Sequence, residues 1–106
     1  MQDETRYTNL PLTIEDVTAM QGVVAVEFGE NSCPYCIAAQ PLFREALKAR
    51  SGIAHFQIED GKGRRLGRHF RVKLWPTLIV LRDGQEIGRV VRPPSLQAVL
   101  DALPAT

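Results

Sequence analysis

Residues 22–28, Gly-Val-Val-Ala-Val-Glu-Phe, form a nearly continuous apolar run rich in valine. Branching at Cβ makes valine a poor helix former and suits it to the pleated strand. The run does not alternate apolar with polar residues, so it leaves no face for water. It therefore reads as a central strand covered on both sides, and the cover must come from elements elsewhere in the chain.

Those elements can be read in order. Thr-Ile-Glu-Asp-Val-Thr-Ala-Met, residues 13–20, opens on a capping threonine with Asp16 three residues on, and places Ile14, Val17 and Met20 at helical spacing. A longer helix is predicted over residues 34–50, with Ile37, Leu42, Phe43, Ala46 and Leu47 as its apolar face and Ser51-Gly52 as its end. Pro41 lies inside it and removes one backbone donor, so a kink is expected there. Residues 53–59, Ile-Ala-His-Phe-Gln-Ile-Glu, read as a second strand, followed by a loop and a short helix within residues 60–72. Residues 75–91 are two apolar runs joined at Asp83-Gly84, a hairpin signal. Ser95 then caps a last helix on which Leu96, Val99, Leu100 and Leu103 share a face. The order predicts an α/β fold, with helices on both faces of a mixed sheet.

A chain of 106 residues suits a single domain, here residues 1–106, and no repeat or linker interrupts it. The formal net charge of +1 supplies no global field toward nucleic acid or membrane. No apolar run approaches the ~20 residues of a membrane span. The polar start lacks the basic and apolar stretches of a secretory leader, which favours the cytoplasm, or the periplasm if a leader has been removed. A monomer is expected.

Both cysteines, Cys33 and Cys36, lie in Ser-Cys-Pro-Tyr-Cys, just after the valine-rich run and at the start of the long helix. A structural zinc site takes four ligands, and the only histidines, His55 and His69, are not in finger-like spacing. No metal is expected. As a staple, so short a loop would remove little entropy from the unfolded chain. Thiol chemistry remains. A cysteine at a helix start gains from unpaired N–H groups and the positive end of the helix dipole, so Cys33 is expected to be the exposed, lower-pKa nucleophile. Cys36, one turn further in, suits the resolving role. Pro34 restrains the turn between them, and Tyr35 offers an aromatic surface to a substrate peptide. No cofactor is expected beyond the redox-active disulfide of Cys33 and Cys36.

With these elements in place the chain resembles the thioredoxin-fold family, over roughly residues 13–103. The resemblance rests on Val-Val-Ala-Val-Glu-Phe leading into the cysteine pair, on Pro41 at the family's spacing, and on Trp75-Pro76-Thr77 before a hairpin with an Asp-Gly turn. It implies that Pro76 is cis and lies beside the cysteines. It also implies that Trp75, Pro76 and Thr77, with Pro34 and Tyr35, line the substrate site, where the backbone before the cis-proline binds an added strand. Trp75 is expected to be a substrate-facing plate rather than core filler. The departures are specific. Ser32 stands where the family carries a tryptophan, Gly29-Glu30 replaces a Trp-Ala pair, and Glu27 and His55 fall on the family's buried aspartate and lysine. The Cys-Pro-Tyr-Cys tetrapeptide is typical of glutaredoxins, yet Arg89-Val-Val-Arg-Pro-Pro-Ser95 lacks the Gly-Gly-acid element that holds glutathione.

The resulting expectation is a thiol-disulfide oxidoreductase that reduces protein disulfides, with a reductase or glutathione as electron donor. Two alternatives stay open: a glutathione-dependent glutaredoxin-like enzyme, and an interaction module or subunit with regulatory cysteines. Retention of both cysteines and of Pro76 argues against the module. Glu27 closes an apolar run, where a carboxylate is costly to bury without a partner or a proton, so a raised pKa and a role as proton acceptor for Cys36 are expected. The alternative is that its side chain reaches water at the strand end. His55 is expected to be a satisfied or exposed strand histidine rather than the partner of Glu27. Lys62, Arg64, Arg65, Arg68, Arg71 and Lys73 form an acid-free basic stretch, read as a solvated face. It is the candidate site for an acidic partner or for the carboxylates of glutathione.

Overall fold

The computed structural model describes residues 6–105. The valine-rich run becomes β1, Val23–Gly29, and takes a central place in a four-stranded sheet. It pairs in parallel with β2, Ile53–Glu59, and antiparallel with β3, Thr77–Arg82. β4, Gln85–Val91, completes the sheet beside β3, giving the order β2-β1-β3-β4. The four helices are α1 (Ile14–Thr18), α2 (Pro34–Lys48), α3 (Arg65–His69) and α4 (Leu96–Ala102).

Alternation along β1 divides the core into two layers. Val24, Val26 and Phe28 pack with Val17 of α1 and Leu66 of α3, whereas Ala25 turns to the other face, against Ala39, Phe43 and Ala46 of α2 and Val99 of α4. Glu27 shares the parity of Ala25 and so points into the layer beneath α2. Local chemistry fixes the helix starts. Thr13 and Asp16 form a reciprocal capping box at 3.0 Å each way, and Ser95 Oγ accepts the Ala98 N–H at 3.2 Å. The hairpin turn places Asp83 (φ 50°) and Gly84 (φ 82°) in the left-handed region, as an Asp-Gly two-residue turn requires.

Two expectations about α2 are corrected. The helix ends at Lys48, two residues short of the predicted end, with Ala49 as its cap and Gly52 turning the chain at φ +80°. Ile37 is 59% exposed rather than part of the apolar face. The buried stripe is Cys36, Ala39, Phe43 and Ala46, a 3-4-3 spacing, and Ile37 sits about 100° round the helix from Cys36. Pro41 lies on the exposed side, where its missing N–H leaves the Ile37 carbonyl to water.

Candidate active site

β1 ends at Gly29, and a tight turn carries the chain into α2. The Glu30 carboxylate shapes that turn by accepting the Ser32 N–H at 3.0 Å and the Ser32 hydroxyl at 2.5 Å. Cys33 is the N-cap of α2, and its Sγ accepts the backbone N–H of Cys36 at 3.2 Å. A cap position is usually held by Ser, Thr, Asp or Asn, whose oxygen satisfies an unpaired helix N–H. Here sulfur takes that place, and a thiolate accepts the bond more strongly than a thiol. Pro34 follows at the first helical position, where its missing N–H costs nothing.

The two thiols differ in environment. Cys33 is half-buried, whereas Cys36 is 1% exposed. Burial pushes the Cys36 thiol up to about 12, and its hydrogen bond with Cys33 adds to the shift. Of the two sulfurs, the one at the start of α2 is the more exposed and the one a turn further in is buried, the difference in exposure expected of Cys33 and Cys36.

The Trp75–Pro76 peptide, just before β3, is cis. Phe28 and Thr77 are register partners, so the start of β3 sits at the end of the sheet from which Cys33 emerges. Pro76 and Thr77 are buried, and the Thr77 hydroxyl donates to the Leu74 carbonyl at 2.6 Å. Trp75 is half-buried and its indole N–H donates to Asp60 Oδ2 at 2.8 Å, so the ring is anchored at the rim.

Beneath α2, Glu27 is fully buried. The strand runs two residues past it to Gly29, so the alternative in which Glu27 reaches water at the strand end does not hold. His55 Nε2 lies 2.9 Å from Glu27 Oε1, which corrects the expectation that His55 stands apart from it. The register explains the contact: His55 faces Ala25 on β1, two residues and one side-chain repeat from Glu27. Tyr7 donates its hydroxyl to Glu27 Oε2.

The thioredoxin family model matches residues 13–104. The chain belongs to the thioredoxin family. It is similar to the structure of reduced thioredoxin 2 from Pseudomonas aeruginosa PAO1, at 45% identity and a TM-score of 0.83, over 93% of this chain and 92% of that one. It is 25% identical to thioredoxin Asp f 29 of Aspergillus fumigatus over 101 residues, 92% of each chain. It is 26% identical to thioredoxin H5 of Arabidopsis thaliana over 78 residues, 74% of this chain and 66% of that protein. Against thioredoxin H2-1 of Oryza sativa the match covers 50% of the relative. The chain thus spans between half and two thirds of the plant relatives' length.

Within this thioredoxin family site, two residues escaped the sequence reading. The first is Tyr7, in a segment that reads only as a polar start. Thr8 bridges to Ile58 at the outer edge of β2, and Asn31 holds the Tyr7 backbone from both sides, at 2.9 and 3.0 Å. The available signal was Gly29. A Cβ there would lie 2.5 Å from Tyr7 Cζ, so the ring occupies the space that a side chain at this family position would fill. Gly29→Ala is expected to destabilise the fold by about 1–3 kcal/mol through overpacking. Chemical denaturation would show this as a lowered midpoint, and an unchanged midpoint would mean that the ring moves freely.

The second is Arg92. Its Nε donates to the Trp75 carbonyl at 2.7 Å, its backbone N–H donates to the Pro76 carbonyl at 3.0 Å, and its guanidinium stacks 3.8 Å from the centre of the Tyr35 ring. One arginine thus ties the start of α2 to the cis-proline turn. Of the basic stretch, Arg64 pairs with Glu59 at 2.8 Å, and Lys62, Arg65, Arg68, Arg71 and Lys73 are exposed. That arrangement matches a solvated face. Among the described residues no cluster of three or more His, Cys, Asp or Glu is arranged to hold a metal, and no helix is long and apolar enough to cross a membrane.

Proposed function

We propose that this chain reduces disulfides in other proteins by a dithiol cycle of Cys33 and Cys36. The observation that carries the reading is the asymmetry of the pair: a half-buried sulfur capping α2, and a buried thiol one turn inside whose own N–H points at it. Cys33 thiolate attacks one sulfur of a substrate disulfide, forming a mixed disulfide and releasing the first substrate thiolate. Cys36 then attacks Cys33 Sγ, the mixed disulfide breaks, and the second substrate thiol leaves. The chain ends oxidised by two electrons, and a reductase or a small thiol such as glutathione returns them. The test is reduction of insulin disulfides with dithiothreitol as the electron source. Precipitation of the freed insulin chain well ahead of the reagent alone is expected, and no acceleration would overturn the reading.

Glu27 fits the proton acceptor of the second step. Cys36 must lose its proton to attack, and its burial opposes ionisation in neutral water. A carboxylate in the same interior layer supplies a base without bulk solvent. Glu27→Gln keeps the shape and a hydrogen-bonding amide, and is expected to slow turnover about ten-fold at neutral pH. An unchanged rate from about pH 6 to 8 would return Glu27 to a structural role.

A further inference from the structure

We infer that Arg92 selects the substrate: it favours disulfides in segments that carry an acidic side chain within a few residues of the attacked cysteine. The inference rests on the protein-disulfide reading proposed above. Val91 pairs with Thr77 on β3, and Thr77 pairs with Phe28 on β1. The chain therefore leaves β4 at the same end of the sheet as the turn into α2. The Arg92 guanidinium lies 3.8 Å from the centre of the Tyr35 ring. Tyr35 is two residues past Cys33, a chain distance of at most about 7 Å. A substrate strand advances ~3.3 Å per residue, so side chains one to three positions from its cysteine fall within reach of the guanidinium.

The side chain is already arranged to take a carboxylate. Nε is bonded to the Trp75 carbonyl at 2.7 Å and the guanidinium stacks on Tyr35, so most of its rotamer freedom is lost before a substrate arrives. Among the described residues, Nε is the only guanidinium nitrogen with a hydrogen-bond partner, and no carboxylate pairs with Arg92. The acids on the loops that follow β1 and β2 are engaged elsewhere, Glu30 by Ser32 and Asp60 by the Trp75 indole. Arg92 is half-buried and is the one charged residue lining a groove of about 270 Å³ between α2 and the segment after β4, whose apolar walls include Ala38, Ala39, Leu42, Pro93 and Pro94. A cation partly withdrawn from water attracts an anion more strongly than one in open solvent. The Arg92 backbone has φ 46°, a left-handed conformation that glycine adopts freely and arginine holds against strain. The turn itself does not call for an arginine.

Single-turnover reaction of the reduced protein with symmetric cystine peptides tests this. Each peptide carries one glutamate, placed one, two or three residues before or after the cysteine, and has a twin with glutamine in its place. Acid quenching and chromatography of the freed peptide thiol give the second-order rate constant for wild type and for Arg92→Gln. The glutamate-to-glutamine rate ratio of wild type is divided by the same ratio for the variant. This quotient cancels the intrinsic reactivity of each peptide and any general damage from the substitution. At the favoured position it is expected to exceed two-fold at low salt, reaching about five-fold, and to shrink toward one near 1 M salt. A quotient of two or less at every position overturns the inference, and so does one that salt leaves unchanged, which marks shape rather than charge. If Arg92→Gln does not fold, Arg92→Gly, which suits the left-handed backbone, takes its place. Failure of wild type to open any of these peptide disulfides overturns the protein-disulfide reading itself, and the inference with it.

Discussion

Replacing Cys36 with serine is expected to stop catalytic reduction of protein disulfides and to leave the substrate covalently attached to Cys33. The first step is untouched, because Cys33 remains the cap of α2 and still receives the backbone N–H of residue 36. The second step loses its nucleophile. A thiol held one turn away competes at an effective concentration that no dissolved thiol matches, since well-oriented intramolecular groups reach ~10⁵ M or more. Turnover of insulin is therefore expected to fall on the order of 10³-fold or more, with the mixed disulfide visible on non-reducing gels. The fold should survive, because serine is smaller than cysteine and its hydroxyl enters a cleft already lined by Tyr7, Asn31 and Gln40. Cys33→Ser abolishes activity under any mechanism and so decides nothing. Cys36→Ser separates the two redox readings: near wild-type turnover of glutathione mixed disulfides by this variant would establish a monothiol route, with glutathione as the resolving thiol.

The layers of the fold were legible because each rests on local chemistry. Thr13 with Asp16, Ser95 with Ala98, and Asp83-Gly84 carry their geometry in two to four residues, and the valine run states its own double-sided burial. The face of α2 was legible only in part. Ile37 is the more apolar residue, yet the stripe is set by the phase of the helix, and phase is fixed by where the cap falls. With Cys33 as cap, Cys36 turns inward and Ile37 outward.

The site divides in the same way. Cys33, Cys36 and Pro76 lie in short motifs with chemical meaning at their spacing. Tyr7, His55 and Arg92 act through contacts with residues 20, 28 and 17 positions away, respectively, and carry no motif. Two of the departures from the family pattern prove to be coupled in space. Gly29 clears the room that Tyr7 fills, and Tyr7 in turn reaches Glu27. Read singly, Gly29 is a lost side chain and Glu27 an awkward acid; together they describe one exchanged cluster.

The Cys36 thiol should reveal itself by its reluctance to ionise. An unfolded cysteine titrates near 9.0, and burial raises Cys36 to about 12. At pH 7 only about one part in 10⁵ of such a thiol is ionised, so brief treatment with iodoacetamide should label Cys33 and spare Cys36 by a factor of roughly 100 or more. Peptide mass spectrometry reads the order directly, and earlier labelling of Cys36 would reverse the assignment of roles. The same shift has a consequence for stability. Between about pH 9 and pH 12 the unfolded chain has released this proton while the folded protein still holds it. The unfolded state binds fewer protons there, so folding stability must fall as pH rises, by at most about 1.4 kcal/mol per pH unit from this one group. Below pH 9 both states are protonated and the term vanishes. Tyr7, also raised, loses stability with the same sign, so wild type alone cannot isolate the thiol. Cys36→Ala can: urea midpoints of the reduced wild type and the variant should draw together above about pH 9, as the wild type loses the term that alanine lacks. Parallel midpoints across that range would show that Cys36 ionises as readily in the folded protein as in the unfolded chain.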